Sequence, residues 1–180
     1  MEQASAVTAT RTGRRCLSTS FDATLKYWSV EDGLPLVTLR GHQSAVYGGC
    51  ISSDGGWALS GGFDQTVRLW EIDRGMELTT MRGHEAEVTD VSMSNDMRNA
   101  MSSSLDGTIK YWDTRSGLCV RSMNGHTDWV SCCSMLPVLK DELGPMKPSD
   151  GEEIARSRAE ERRRAAQVAA AARALEAEEA

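Results

Sequence analysis

Residues 41–82, GHQSAVYGGCISSDGGWALSGGFDQTVRLWEIDRGMELTTMR, lie without a gap over residues 83–124, GHEAEVTDVSMSNDMRNAMSSSLDGTIKYWDTRSGLCVRSMN, with 12 identities in 42. The shared residues fall at landmarks. Gly-His opens each unit at Gly41-His42 and Gly83-His84 and returns at Gly125-His126, and an apolar or aromatic residue followed by Trp stands at Tyr27-Trp28, Leu69-Trp70 and Tyr111-Trp112. Ser18, Ser60 and Ser102, Asp22, Asp64 and Asp106, Thr24, Thr66 and Thr108, and Gly33, Gly75 and Gly117 keep the same step of 42. Such a period marks one supersecondary unit repeated, which buries its apolar faces only by stacking on its neighbours.

Within a unit, short β-prone runs alternate with turn residues, the pattern of four antiparallel strands. In the second unit the strands are expected near 46–51, 57–61, 66–71 and 76–81, separated by SSDGG, FDQ and DRG; VTDVSM, NAMSS, TIKYWD and LCVRSM take the same places in the third. In TVRLWE, Val67 and Leu69 point one way and Trp70 the other, so the strand is expected to be covered on both faces. Ala4–Val7 align with Val46–Gly49 as a first strand of the first unit, and GHTDWVSCCSM supplies the Gly-His and first strand of a fourth.

Gly-His, about 28 residues, then Trp followed by Asp, Ser or Glu, at this spacing and with four strands per unit, resembles the WD-repeat β-propeller family. Trp112-Asp113 is the family's namesake pair, and Trp70-Glu71 and Trp28-Ser29 are looser forms of it. The resemblance implies an all-β chain of four-stranded propeller blades over residues 1–136, with repeats at 1–40, 41–82 and 83–124 and a partial one at 125–136. Propellers use about 4–8 blades. Three blades and a strand are too few to close a ring alone, so the chain is expected to be a segment of a longer protein, or to assemble with copies of itself or with another propeller segment.

Serine, histidine and aspartate recurring near one another raise the question of a hydrolase. A catalytic set is assembled once, beside an oxyanion hole; here it recurs at a fixed period, as a structural device would. The resemblance implies a buried hydrogen-bonded chain in each blade: His42, Asp64, Ser60 and Trp70 in the second, His84, Asp106, Ser102 and Trp112 in the third, and Ser18, Asp22 and Trp28 in the first, whose histidine would fall before Met1. Phosphate-loop, HExxH and GxSxG patterns are absent from the sequence. No catalytic residue, metal ligand or cofactor is expected.

A net charge of −6 at pH 7 gives no basic field for nucleic acid or an anionic membrane, which points to protein partners. The five cysteines, Cys16, Cys50, Cys119, Cys132 and Cys133, form no CxxC pair, so they read as small apolar residues of a reducing compartment rather than zinc ligands. The tandem Cys132-Cys133 has no base beside it. Without the apolar stretch of a secretory signal, the expected location is the cytoplasm, with the nucleus left open.

Residues 137–149 hold three of the four prolines and read as a linker. The segment 150–180, rich in Ala, Glu and Arg, predicts one helix over about 151–177, with i,i+4 pairs such as Glu152/Arg156 and Glu160/Arg164.

The resemblance implies a non-catalytic protein–protein interaction scaffold. The alternative is a regulatory WD-repeat segment of a longer enzyme polypeptide, such as a ubiquitin ligase, kinase or NTPase, with its catalytic part elsewhere. Candidate partner-binding residues are Phe21, Phe63 and Leu105, each just before a turn aspartate, with Tyr47 and Trp129 near the starts of first strands. Packing beside a tight turn is the competing explanation for these side chains.

Overall fold

The computed structural model describes residues 3–135, so the linker expected at 137–149 and the helix expected within 150–180 lie outside the described residues. Twelve strands form three sheets. The first sheet contains β1 (Ala4–Ala9), β2 (Arg15–Ser20), β3 (Thr24–Ser29) and β4 (Pro35–Arg40). The second contains β5 (Val46–Ile51), β6 (Trp57–Gly62), β7 (Thr66–Glu71) and β8 (Met76–Arg82). The third contains β9 (Val88–Met93), β10 (Asn99–Ser104), β11 (Thr108–Asp113) and β12 (Leu118–Asn124). Each is an antiparallel meander in chain order, the architecture of a propeller blade.

The repeat fixes register as well as order. Ala58 lies opposite Trp70 and Leu59 opposite Leu69 in the second blade, as Ala100 lies opposite Trp112 and Met101 opposite Tyr111 in the third. Where the third strand of each blade meets the fourth, the pairing slips immediately before the tryptophan, at Tyr27/Trp28, Leu69/Trp70 and Tyr111/Trp112. Such a bulge bends the strand and increases its twist, and here it recurs at the same place in all three blades. The turn that follows uses Gly33, Gly75 and Gly117 at φ of 66°, 62° and 68°, a left-handed conformation in which a side chain is strained.

Because side chains alternate along a strand, each blade has one face toward its predecessor and one toward its successor. Leu17, Leu25 and Leu39 of the first blade pack against Val46, Ala58 and Trp70 of the second. Leu59, Val67, Leu69 and Met81 of the second then pack against Val88, Ala100 and Trp112 of the third. Strand β7 is therefore buried on both faces, as Val67 and Leu69 on one side and Trp70 on the other predict. Between the innermost strands the approach is close enough to demand glycine: a Cβ placed on Gly48 would lie 2.6 Å from the Cα of Asp90.

A hydroxyl near the start of the innermost strand ties each terminal blade to the segment one repeat later. Ser5 donates to the carbonyl of Val46 and pairs with Thr19 at 2.8 Å. Thr89 repeats both contacts, donating to the Val130 carbonyl at 2.5 Å and pairing with Ser103 at 2.9 Å. The stretch expected as the first strand of a fourth blade thus takes up its place, but it is not a strand. Residues 131–135 form no backbone ladder with any strand among the described residues, and a strand requires one. They are held instead by β9 side chains: the Cys133 amide donates to Asp90 at 3.2 Å and the Met135 amide to Ser92 at 2.9 Å.

Candidate functional site

The repeated polar residues meet inside the second and third blades. His42 Nδ1 donates to Asp64 at 2.9 Å, its Nε2 lies 2.7 Å from Ser60 Oγ, and the Trp70 indole N–H donates to the same Oγ at 2.8 Å. In the third blade the corresponding distances are 2.7 Å from His84 to Asp106, 2.7 Å from His84 to Ser102 and 2.8 Å from Trp112 to Ser102. One proton order satisfies every member: indole N–H to serine oxygen, serine O–H to Nε2, Nδ1–H to carboxylate. It requires a neutral imidazole. Burial holds the His84 pKa below its ordinary value, against the opposing pull of Asp106, so the neutral form is the one favoured.

The aspartate serves a second purpose. Asp64 Oδ1 accepts the Thr66 amide at 3.2 Å and its hydroxyl at 2.7 Å; Asp106 accepts those of Thr108 at 2.8 and 2.7 Å, and Asp22 those of Thr24 at 2.9 and 2.6 Å. The other oxygen accepts an amide of the loop after the histidine, Gln43 or Glu85, each at 3.1 Å. Each carboxylate of the second and third blades therefore clamps a turn to a loop. The Asp-x-Thr spacing, present three times, is the sequence signal for the turn half of this clamp. Arg68, buried in β7, adds a bond to Asp64 at 3.3 Å and another to Glu77 at 2.6 Å, and neither the first nor the third blade has an arginine at that position.

In the first blade the chain is shorter. The Trp28 indole donates to Ser18 at 2.9 Å, while Asp22 is engaged by Thr24 and by no histidine among the described residues.

These surroundings set the pH response. For Asp106, burial opposes ionisation but is outweighed by hydrogen bonds from Thr108, His84 and the Glu85 amide, which bring its pKa to about 2. Asp64 is likewise held well below the carboxylate range, by His42 and Thr66 against burial. A depressed folded-state pKa adds stability that is present above the unfolded value and is lost as pH falls through the folded one. His84 has the same sign, starting near pH 6.5. Asp90, raised by burial, has the opposite sign. The melting temperature is expected to be flat between about pH 7 and 8 and to fall on acidification, first through His84 and then steeply below about pH 4, where Asp64 and Asp106 are protonated in the unfolded chain but still ionised in the folded one. Scanning calorimetry from pH 8 to 3 checks this; a melting temperature that rises on acidification would contradict it.

None of this assembles a nucleophile. Ser60 and Ser102 are fully buried, each saturated by a histidine and a tryptophan. Burial, with the nearby Asp90 charge, pushes the Cys133 thiol up to about 12, and Cys50 is pushed to the same value by the same causes. Both are thiols at neutral pH, the inert form. Among the described residues no group of three or more His, Cys, Asp or Glu is arranged to hold a metal ion.

The five candidate binding residues separate. Phe21, Tyr47 and Phe63 come together on the rim that carries the turn aspartates: Phe21 meets Tyr47 edge-on with ring centroids 5.7 Å apart, and Tyr47 meets Phe63 at 6.4 Å. Phe21 is 43% exposed and Phe63 47%. Tyr47 occupies the position at which Ser5 and Thr89 bond the next segment, and its ring lies instead between the two phenylalanines. Leu105 takes the corresponding turn position in the third blade, half-buried. Trp129, 71% exposed, makes no ring contact among the described residues.

The WD domain, G-beta repeat pattern matches residues 33–71, 75–113 and 117–138, more than half of the chain. The chain belongs to the WD-repeat family. The first two matched units each start with the outermost strand of one blade and end with the third strand of the next, β4 with β5–β7 and β8 with β9–β11, so each of these two WD repeats staples two adjacent blades. Solved structures with this fold are numerous, 1263 chains matching in all. One of them, the structure of U3-55K, is 26% identical, with a TM-score of 0.71 over 76% of this chain. The WD-repeat chain spans 44% of the length of U3-55K. No curated protein matches it in sequence.

Proposed function

We propose that this WD-repeat chain is a non-catalytic protein-binding platform and part of a larger or assembled propeller. The observation that carries the proposal is the Phe21–Tyr47–Phe63 cluster. It places three rings from two adjacent blades on one rim, two of them nearly half exposed, beside turns that the aspartates hold rigid. Large, preorganised aromatic side chains of this kind are the residues that dominate protein interfaces. The polar chains of the second and third blades, buried and satisfied, supply the rigidity.

Assembly is supported by the two outer blade faces. Met101, Ile109, Tyr111 and Met123 repeat the positions of Leu59, Val67, Leu69 and Met81; the second set is buried by the third blade, and the first set is partly exposed. On the other side, Trp28 is half-buried where Trp70 and Trp112 are 0% exposed. These faces suit a further blade, from another segment or another copy.

The double substitution Phe21→Ser/Phe63→Ser tests the rim. Stability is expected to change by about 0.5 kcal/mol or less per site, as at exposed positions, while the set of proteins retained on the immobilised chain and identified by mass spectrometry shrinks. Undiminished retention, or joint loss of fold and retention, would return these rings to a packing role.

A further inference from the structure

A cavity of about 270 Å³ opens between the second and third blades, on the rim opposite the aspartate turns. Its walls are Trp57, Leu69 and Leu78 of the second blade and Met97 of the third, with Arg98 and Arg115 at its polar side. The equivalent place between the first and second blades is lined differently. There Tyr27 stands where Leu69 stands here, and its hydroxyl lies 3.0 Å from where a Cβ on Gly55 would be; buried Ile72 stands where Thr114 stands here. A tyrosine ring at position 69 would enter the space that Leu69 leaves open here.

Met97 is strained at this spot. It has φ of 58°, whereas the same turn position in the other two blades is glycine, Gly13 at 70° and Gly55 at 79°. A methionine held in the left-handed region costs on the order of 1 kcal/mol or more, and such residues cluster at ligand sites. The strain is imposed by its neighbours: the Met97 amide bonds the Ser94 carbonyl at 2.9 Å, and its own carbonyl accepts the Thr114 hydroxyl at 2.6 Å.

The charges at the cavity favour an anion. Arg98 and Arg115 form no ion pair among the described residues. The carboxylate that faces them, Asp96, has Oδ1 engaged by the Ser94 hydroxyl at 2.6 Å and by the Arg98 amide at 3.1 Å. Two guanidinium groups against one carboxylate leave a net positive edge. Drug-sized ligands take pockets of about 300–1,000 Å³; this one suits a single large side chain.

We propose that the cavity receives a tyrosine side chain of an acidic peptide segment of a partner protein, the ring taking the place that Tyr27 fills one blade earlier and the flanking carboxylates pairing with Arg98 and Arg115. The site extends the reading of the chain as a binding platform, but on the rim away from Phe21 and Phe63. Its failure would leave the retention experiment with the Phe21→Ser/Phe63→Ser chain unaffected.

The test uses the full chain, labelled with nitrogen-15, titrated with an acetylated, amidated peptide bearing one tyrosine between glutamates. Saturable amide shifts are expected at Leu78, Thr79, Met97 and Arg98. Replacing the peptide's tyrosine by alanine, or its glutamates by glutamines, is expected to weaken binding about tenfold, as is Arg98→Gln/Arg115→Gln. Leu69→Tyr refills the cavity from within and is expected to abolish the shifts. Should that variant not fold, Met97→Gly gives an independent reading: it removes the strain and one wall together, so the melting temperature rises while peptide affinity falls severalfold. Absence of shifts at these amides, shifts that survive Leu69→Tyr, an affinity unchanged by Met97→Gly, or equal binding of the alanine peptide would overturn the proposal.

Discussion

Trp70→Ala is expected to lower the stability of the folded chain by about 3–5 kcal/mol, the range for removing a large aromatic side chain from a core. Trp70 is 0% exposed and lies at the centre of the contact between the first two blades, among Leu17, Leu25, Leu39, Val46 and Ala58. Its loss opens a cavity at a blade interface, strands Ser60 without its indole donor and leaves the His42 ring, 6.1 Å away, without its neighbour. Trp28→Ala is the internal control. It occupies the same position in the first blade, but half-buried on an outer face with Lys26 across its ring at 5.9 Å, so its removal is expected to cost well under half as much. Chemical denaturation followed by circular dichroism separates the two; equal losses would mean that blade stacking does not govern stability.

Ser60→Ala deletes a single oxygen and is expected to cost roughly 2–6 kcal/mol, since two buried groups lose their partner at once and each orphaned group costs about 1–3 kcal/mol. The Trp70 indole N–H and the His42 Nε2 have no other hydrogen bond in the second blade's interior. Ser102→Ala is expected to behave alike in the third blade, where the same two bonds are 2.7 and 2.8 Å. In the first blade Ser18 bonds the Trp28 indole alone, on a half-buried face, so Ser18→Ala is expected to cost about 1 kcal/mol or less. The ordering matters more than the absolute values: a structural chain requires the serines with two partners to outweigh the one with a single partner. Denaturant midpoints for the three variants provide it.

The blades were legible in the sequence because a fixed period carries its own register. Once Ser60, Asp64 and Trp70 recur 42 residues later as Ser102, Asp106 and Trp112, strand positions follow within about a residue: β5, expected at 46–51, spans Val46–Ile51, and β12, expected at 118–123, ends one residue later at Asn124. Side-chain conformation was not legible. Tyr47 aligns with Ser5 and Thr89, and only the fold shows that its ring turns to Phe21 and Phe63 rather than bonding the next segment. The stretch after Gly125-His126 reads as a first strand from the repeat, yet a strand exists only through a partner, and residues 131–135 form none. The cavity beside Met97 was visible only as differences between aligned units, Tyr27 against Leu69 and Gly55 against Met97.

That the recurring serine, histidine, aspartate and tryptophan hold the blades shut is tested most directly by hydrogen exchange of the indole N–H protons. Nitrogen-15 spectra of the folded chain in deuterium oxide resolve each tryptophan. The Trp70 and Trp112 indole protons, buried and bonded to Ser60 and Ser102, are expected to persist, whereas that of Trp129, on a side chain 71% exposed, disappears at once and that of Trp28 soon after. Trp70 and Trp112 indole protons that exchange as fast as that of Trp129 would show the chain of bonds to be open in solution, and would contradict the account.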